Sequence, residues 1–194
     1  MYIPKQFEIT DVDRQLDFIE SNSFGELISH VDGRLYSTHL PFYLSKDKSK
    51  LIGHLAIQNP QAEDLESQEV LVTFEGPHGY ISPTWYLSPG VPTWNYQSVH
   101  VYGHVKIIRE LEEVRCVVDS LVSKHEESNE SPWTPEYKDS LLSAIVAFEV
   151  SISEIQCKFK LSQNRSVEDR NQIIAELIRV GAVKLAEAMA CNEL

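Results

Sequence analysis

The residues best suited to chemistry lie between Gly76 and His100. That stretch holds Trp85, Trp94, Tyr80, Tyr86, Tyr96, His78 and His100, with Ser82, Thr84, Thr93 and Asn95 among them. Aromatic faces bury large areas and stack on planar rings, while the hydroxyls and amides beside them supply hydrogen bonds. A flat heterocycle with a polar edge is their natural partner. A tightly packed loop at a dimer interface uses the same residue types, and composition alone leaves both readings open.

Other chemistries find less support. His54, His78, His100 and His104 are the candidate metal ligands, but no HExxH or Cys/His zinc spacing is present. His100 and His104 share a strand face, where i and i+4 stand roughly 13 Å apart. No metal site is therefore expected, and a haem ligand rests on the same histidines. There is no GxSxG elbow, GxGxxG or P-loop. Ser82, between Ile81 and Pro83, reads as a hydrogen-bond donor, and no residue is assigned a catalytic role. For phosphate the candidates are Ser37, Thr38, Lys158, Lys160 and Arg165, which offer hydroxyls or positive charge. The run Lys158–Arg165 is equally well explained as a solvated strand end before a helix cap.

The elements that must position these residues follow from periodicity. Thr10 is placed to cap a helix, and Val12, Leu16 and Ile19 recur at helical spacing to about Ser21. Leu27–Val31 and Leu35–Leu44 are strand-like and flank Asp32-Gly33, a hairpin signal because both turn positions need positive φ. Strands are expected at Leu51–Ile57, Val70–Glu75, Gly79–Pro83 and Val99–Ile108, with an irregular acidic stretch over Gln61–Glu69. A Pro- and Gly-punctuated loop is expected to carry Trp85, Tyr86 and Trp94. Along Val99–Ile108, Val99, Val101, Val105 and Ile107 share one face with Gly103, while His100, Tyr102, His104 and Lys106 share the other. Helices are expected from Leu111, from Thr134-Pro135, and from Ser166 through Leu185, with Ser166 and Asp169 as a capping pair. Ile145–Leu161 reads as one long strand. The sum is a single α+β domain over residues 1–194, a β-barrel core with peripheral helices.

Charge narrows the partners. The 194-residue chain has 17 Lys+Arg against 29 Asp+Glu, a formal net charge of −12. Such a surface repels polyphosphate unless its cations are concentrated on one face. Three scattered cysteines, Cys116, Cys157 and Cys191, read as reduced thiols, and no apolar run suits a signal peptide or membrane helix. The expectation is a cytoplasmic protein with no membrane partner.

Several blocks in order then carry a family resemblance. They are Met1–Phe7, Ser37-Thr-His-Leu-Pro-Phe42, Gly53-His-Leu-Ala56 with Asn59-Pro-Gln61, Gly76–Tyr86, Val91–Tyr96 with Val99–Gly103, and Lys158–Arg165. Together they resemble the PaiB family, bacterial proteins described as FMN-binding negative transcriptional regulators. The resemblance implies an FMN-binding split β-barrel, similar to pyridoxamine-phosphate oxidase, assembled as a homodimer with the flavin at the subunit interface. By motif position it implies that Thr38, His39 and Leu40 line the flavin from one strand, and His54 and Asn59 from the next. Ser82 and Trp85 are implied near the ring or phosphate, and Trp94, Tyr96 and His100 from the partner subunit. Relatives often carry a basic residue where this chain has Ile57 and Gln58. The phosphate then falls to Lys158, Lys160 or Arg165, and weaker FMN binding is expected.

The regulatory title sits poorly with the charge, because no helix-turn-helix with a basic recognition helix is visible. Direct DNA binding is doubtful, and any effect on transcription is expected to be indirect or to need a partner. The alternatives are a flavin-dependent oxidoreductase acting on a small molecule, or a split-barrel protein that binds haem or another ring.

Overall fold

The computed structural model describes residues 1–127 and 129–192. In chain order its elements are α1 (Val12–Ser21), β1 (Phe24–Val31), β2 (Arg34–Pro41), β3 (Tyr43–Leu44), β4 (Lys50–Ala56), α2 (Gln61–Asp64), β5 (Glu69–Glu75), β6 (Gly79–Ile81), β7 (Thr93–Ile108), α3 (Leu111–Glu126), α4 (Asp139–Leu142), β8 (Ile145–Lys160), α5 (Val167–Arg179) and α6 (Val183–Ala190). Short 3-10 turns lie at Lys5–Phe7 and Pro83–Trp85. The chain divides into two compact units. One comprises Met1–Phe18, Glu75–Val99 and Gln156–Leu194, and the other Ile19–Phe74 and His100–Ile155.

The second unit is built on a sheet of strand order β2-β1-β5-β7-β8-β4-β3. Its first hairpin turns at Asp32 and Gly33, with φ of 50° and 73°, and pairs Val31 with Arg34. A one-residue shift here would turn every side chain of β2 over, so this turn fixes which residues of the edge strand face the site. β4 runs antiparallel to β8, with His54 opposite Ala147. Phe42 sits edge-on to Phe74 and to Phe148, with ring centroids 5.6 and 6.2 Å apart. On α3, Val114, Val117 and Leu121 pack with Leu142 and Ala147. Each such buried side chain is worth about 1.5–3 kcal/mol. The expected alternation on β7 is present: Val99, Val101, Gly103, Val105 and Ile107 are buried, and His100, Tyr102, His104 and Lys106 are not.

The first unit holds β6 paired with the start of β7, Tyr80 opposite Trp94. Phe18 packs on Phe159, with centroids 5.1 Å apart. Ile173, Leu177, Leu185 and Met189 are buried beneath α5 and α6.

Several expectations are corrected. Asp11, not Thr10, caps α1, since its carboxylate accepts the Arg14 N–H at 3.1 Å. Gln61–Asp64 is a helical turn rather than irregular chain. Trp94 belongs to β7, which begins at Thr93, and not to the preceding loop. No helix starts at Thr134-Pro135. The Trp133 N–H instead donates to the Glu126 carboxylate at 2.8 Å, and the Tyr137 hydroxyl donates to Asp119. These bonds hold the segment extended, and the helix starts at Asp139. The C-terminal helical run is two helices, interrupted at Gly181 with φ of 84°. Ser166 does accept the Asp169 N–H at 3.1 Å. The Asp169 carboxylate does not reach back to complete the capping pair. It accepts the Leu87 and Ser88 N–H groups at 2.7 and 3.1 Å and the Ser88 hydroxyl.

Candidate functional site

In the second unit, β2 and β4 bring part of the expected flavin set together. β2 is the edge of the sheet, and its residues Arg34–Ser37 are exposed. Thr38 is half-buried and accepts a hydrogen bond of 2.9 Å from the Asn59 side-chain amide. Asn59 also accepts the Gln61 N–H at 3.0 Å, so it holds both the first residue of α2 and the edge strand. Leu40 is buried and packs against Gly53; a Cβ there would stand 3.0 Å from Leu40 Cδ1. His54 follows Gly53 on β4. Alternation sends His39 to the opposite face from Thr38 and Leu40. There the exposed His39 ring stacks on Phe24, with centroids 6.2 Å apart and planes 27° apart.

Two histidines of this unit carry an unmet need. Nδ1 of His54 and Nδ1 of His100 are both buried without a hydrogen-bond partner. Burial also pushes the pKa of each below the ordinary 6.5, which keeps the rings neutral near pH 7. A buried polar atom left unpaired costs about 1–3 kcal/mol. The two rings do not meet in one chain. Lys106 Nζ lies 3.9 Å from Glu149, and the Ser153 hydroxyl donates to the Tyr102 carbonyl at 3.1 Å, so β7 and β8 run in opposite directions. His100 therefore lies beyond the level of Ser153, whereas His54 pairs with Ala147. Six or more residues of extended chain separate those levels, roughly 20 Å.

Sequence reasoning missed two features of this unit. Arg109 and Ile57 line one concavity of about 350 Å³, so a cation does share a cavity with Ile57, where the resemblance implied a missing one. Gln61 is fully buried, donates to Ser29 Oγ at 2.8 Å, and has an unpartnered Oε1. Neither was legible locally, because Arg109 is far from Ile57 in the chain and Gln61 sat in a stretch read as irregular.

In the first unit, Ser82 is occupied as a cap. Its hydroxyl accepts the Thr84 N–H at 3.2 Å and pairs with the Thr84 hydroxyl at 2.8 Å. Trp85 is half-buried in the turn that Ser82 caps. Trp94 is 55% exposed and meets the rings of His78 and Tyr80, each with centroids 6.3 Å away. Lys158 is buried. It donates to the Tyr2 carbonyl at 3.0 Å, and Nζ lies 5.2 Å from the Tyr96 ring centroid. Lys160 and Arg165 line a separate small cavity with Thr93 and Asn95. Among the described residues no cluster of His, Cys, Asp or Glu has the geometry of a metal site.

Residues 1–154 match the family described as "Putative FMN-binding domain". The chain is also 39% identical over 185 residues to Protease synthase and sporulation protein PAI 2 of Bacillus subtilis, covering 91% of this chain and 89% of that one. This chain belongs to the PaiB family. Among solved structures it is similar to the flavocytochrome Anf3 of Azotobacter vinelandii, with a TM-score of 0.69 and 16% identity over 88% of this chain and 78% of that one. It is also similar to the FAD and heme binding protein of Mycobacterium smegmatis, with a TM-score of 0.66 and 15% identity over 84% of this chain and 78% of that one. At these identities the likeness is one of fold: the α+β split β-barrel of flavin-binding proteins, with peripheral helices.

FMN is the cofactor of the PaiB family, and the residues here fit it. The buried, unpartnered His54 Nδ1 is a polar atom still free to bond a ligand, on the face of β4 opposite to the Gly53 face that packs on Leu40. Arg109, by the end of β4, offers positive charge to a phosphate. When bound, FMN supplies the electron-transfer chemistry of a flavin, and the protein supplies binding, orientation and electrostatics. No helix among the described residues is long and apolar enough to cross a membrane.

Proposed function

We propose that this PaiB-family chain works as an FMN-binding homodimer, with one flavin site completed across two copies. Thr38, Leu40, His54 and Asn59 contribute from one copy. His100 and the preceding stretch of β7, with Tyr96 and Trp94, contribute from the other. The observation that carries this reading is the pair of buried, unpartnered imidazoles, His54 and His100, lying roughly 20 Å apart on one sheet. A second copy is the simplest way to bring the one beside the other. The exposed edge β2, with Leu35 71% exposed, and Phe24 at the start of the adjoining β1, 65% exposed, offer an apolar surface for that copy.

On this reading the neutral imidazoles hydrogen-bond the polar edge of the ring, and Arg109 offsets the phosphate charge. A regulatory role in transcription is then exerted indirectly or through a partner protein, since the net charge of −12 opposes DNA. Sedimentation combined with FMN titration tests the proposal. The expected result is a particle of twice the 22.1 kDa chain mass that takes up one flavin per chain. Leu35→Glu is expected to yield monomers that lose FMN. A monomeric native protein that still binds FMN at full stoichiometry would overturn the shared site, and absence of FMN uptake would overturn the whole reading.

A further inference from the structure

The chain carries 29 acidic residues against 17 basic ones, yet one cavity of the first unit gathers two cations and no carboxylate. Its volume is about 190 Å³. Lys160 donates to the Thr93 hydroxyl and to the Trp94 carbonyl. An ammonium has three protons, so one is left to give. The Arg165 guanidinium lies over the Tyr86 ring, 4.3 Å from its centroid, and donates to the Pro89 carbonyl at 3.3 Å. Among the described residues neither cation has an ion pair with a carboxylate. The Asp169 carboxylate interacts electrostatically with Arg165 while it accepts hydrogen bonds from Leu87 and Ser88. Burial, together with the charge of Lys158, pushes the pKa of Lys160 down. Among the described residues Lys160 has no carboxylate at ion-pair distance, and an anion in the cavity would supply that counter-charge.

The other walls are apolar or fixed. Phe7, Tyr86 and Val91 supply hydrocarbon surface. Asn95 and Ser162 are both buried and bonded to each other at 2.9 Å, so that side of the cavity is preset. The volume suits about six water molecules at roughly 30 Å³ each, below the roughly 300–1,000 Å³ of pockets for larger ligands. A whole flavin does not fit.

We propose that this cavity binds a small organic acid, its carboxylate between Lys160 and Arg165 and its apolar body against Phe7 and Tyr86. This is a second site, distinct from the proposed flavin site, although its Lys160 also holds the carbonyl of Trp94. A phosphate group, free or on the flavin, carries related chemistry and is separated from a carboxylate by the test.

The test is calorimetric titration of the FMN-free protein with benzoate, with its neutral analogue benzamide, and with inorganic phosphate. Benzoate is expected to bind saturably and benzamide to fail. Lys160→Gln and Arg165→Gln are each expected to weaken benzoate at least tenfold, with thermal unfolding followed to show that both variants fold. Saturating benzoate is expected to leave FMN uptake by the native protein within twofold. Benzoate binding that is absent, or that folded variants leave unchanged, would overturn the proposal. So would tighter binding of phosphate than of benzoate, or a tenfold loss of FMN uptake at saturating benzoate, which would assign the cations to the flavin phosphate. Failure of the native protein to take up FMN would sink the flavin reading alone and leave the benzoate result standing.

Discussion

Asn59 ties Thr38 to the end of β4: its side-chain amide donates to the threonine hydroxyl at 2.9 Å, and its carbonyl oxygen accepts the Gln61 N–H at 3.0 Å. One side chain thus fixes both the exposed edge strand and the turn that follows β4. Each bond is worth about 0.5–1.5 kcal/mol net. Asn59→Ala loses both, and is expected to lower stability by about 1–3 kcal/mol in urea unfolding. Thr38→Val loses only the first and is expected to cost about half as much. Both are expected to weaken FMN in a fluorescence titration. Equal stability losses would show that Asn59 acts only through Thr38.

His54 makes the site sensitive to acid. Burial holds its pKa below the ordinary 6.5. The unfolded chain therefore takes up the proton first as pH falls, and stability rises with pH across the window below 6.5. The contribution is full above 6.5 and is lost as pH drops through the folded-state value. Urea unfolding on either side of pH 6.5 is expected to show this loss, and His54→Gln is expected to flatten it. FMN affinity is expected to fall over the same window, because a protonated Nδ1 no longer accepts a hydrogen bond. A slope unchanged in His54→Gln would assign the acid sensitivity to other groups.

Arg109 bears on the departure at Ile57 and Gln58. Neither Ile57 nor Gln58 carries a charge, but Arg109 lines the same concavity as Ile57. A charge-assisted hydrogen bond is worth about 1.5–3 kcal/mol, so Arg109→Ala is expected to weaken FMN by about 10- to 150-fold. Ile57→Lys is expected to recover much of that loss in the Arg109→Ala background. Riboflavin, which lacks the phosphate, is expected to be indifferent to both changes. If riboflavin suffers as FMN does, Arg109 acts on the ring site or on folding and not on the phosphate.

What could be read from the chain was whatever a short period controls. The alternation along β7 separates His100 from Val99 and Val101 because successive strand side chains face opposite ways. The Asp32-Gly33 hairpin was legible because few residues tolerate two positive φ angles in succession. That same alternation could have separated His39 from Thr38 and Leu40, which motif position alone grouped together. The rest depended on contacts distant in sequence. Pro135 suggested a helix start, but the bonds from Trp133 to Glu126 and from Tyr137 to Asp119 hold that segment extended. The roughly 20 Å between the levels of His54 and His100 follows from strand order and register, and neither is written in local pattern. The cationic cavity joins Thr93 to Lys160 and Arg165, so its lack of acid emerges only once β8 is folded beside the start of β7.

The last expectation concerns DNA. α5 and α6 are joined by the three residues Val180–Ala182, a spacing that invites comparison with a helix-turn-helix. A reading helix needs exposed groups that meet phosphates and base edges. On α6, Leu185, Ala186 and Met189 are buried, and the exposed residues are Val183, Lys184, Glu187 and Ala190. One Lys is offset by one Glu, and Arg170 of α5 is spent on the Met189 and Asn192 carbonyls at 3.1 Å each. Lys158 is likewise buried against Tyr2 and Tyr96. The purified protein is therefore expected to lack the specific affinity of a sequence-reading protein, with a Kd on the order of 10⁻⁸–10⁻¹¹ M at physiological salt. Fluorescence anisotropy against salt checks this: weak binding that disappears as salt rises, with no preference among sequences, is the expected outcome. Tight binding to one sequence at physiological salt would mean that a second copy assembles a basic surface that one chain lacks. Lys184→Glu would then be the variant to show it, by abolishing that binding while leaving FMN uptake intact.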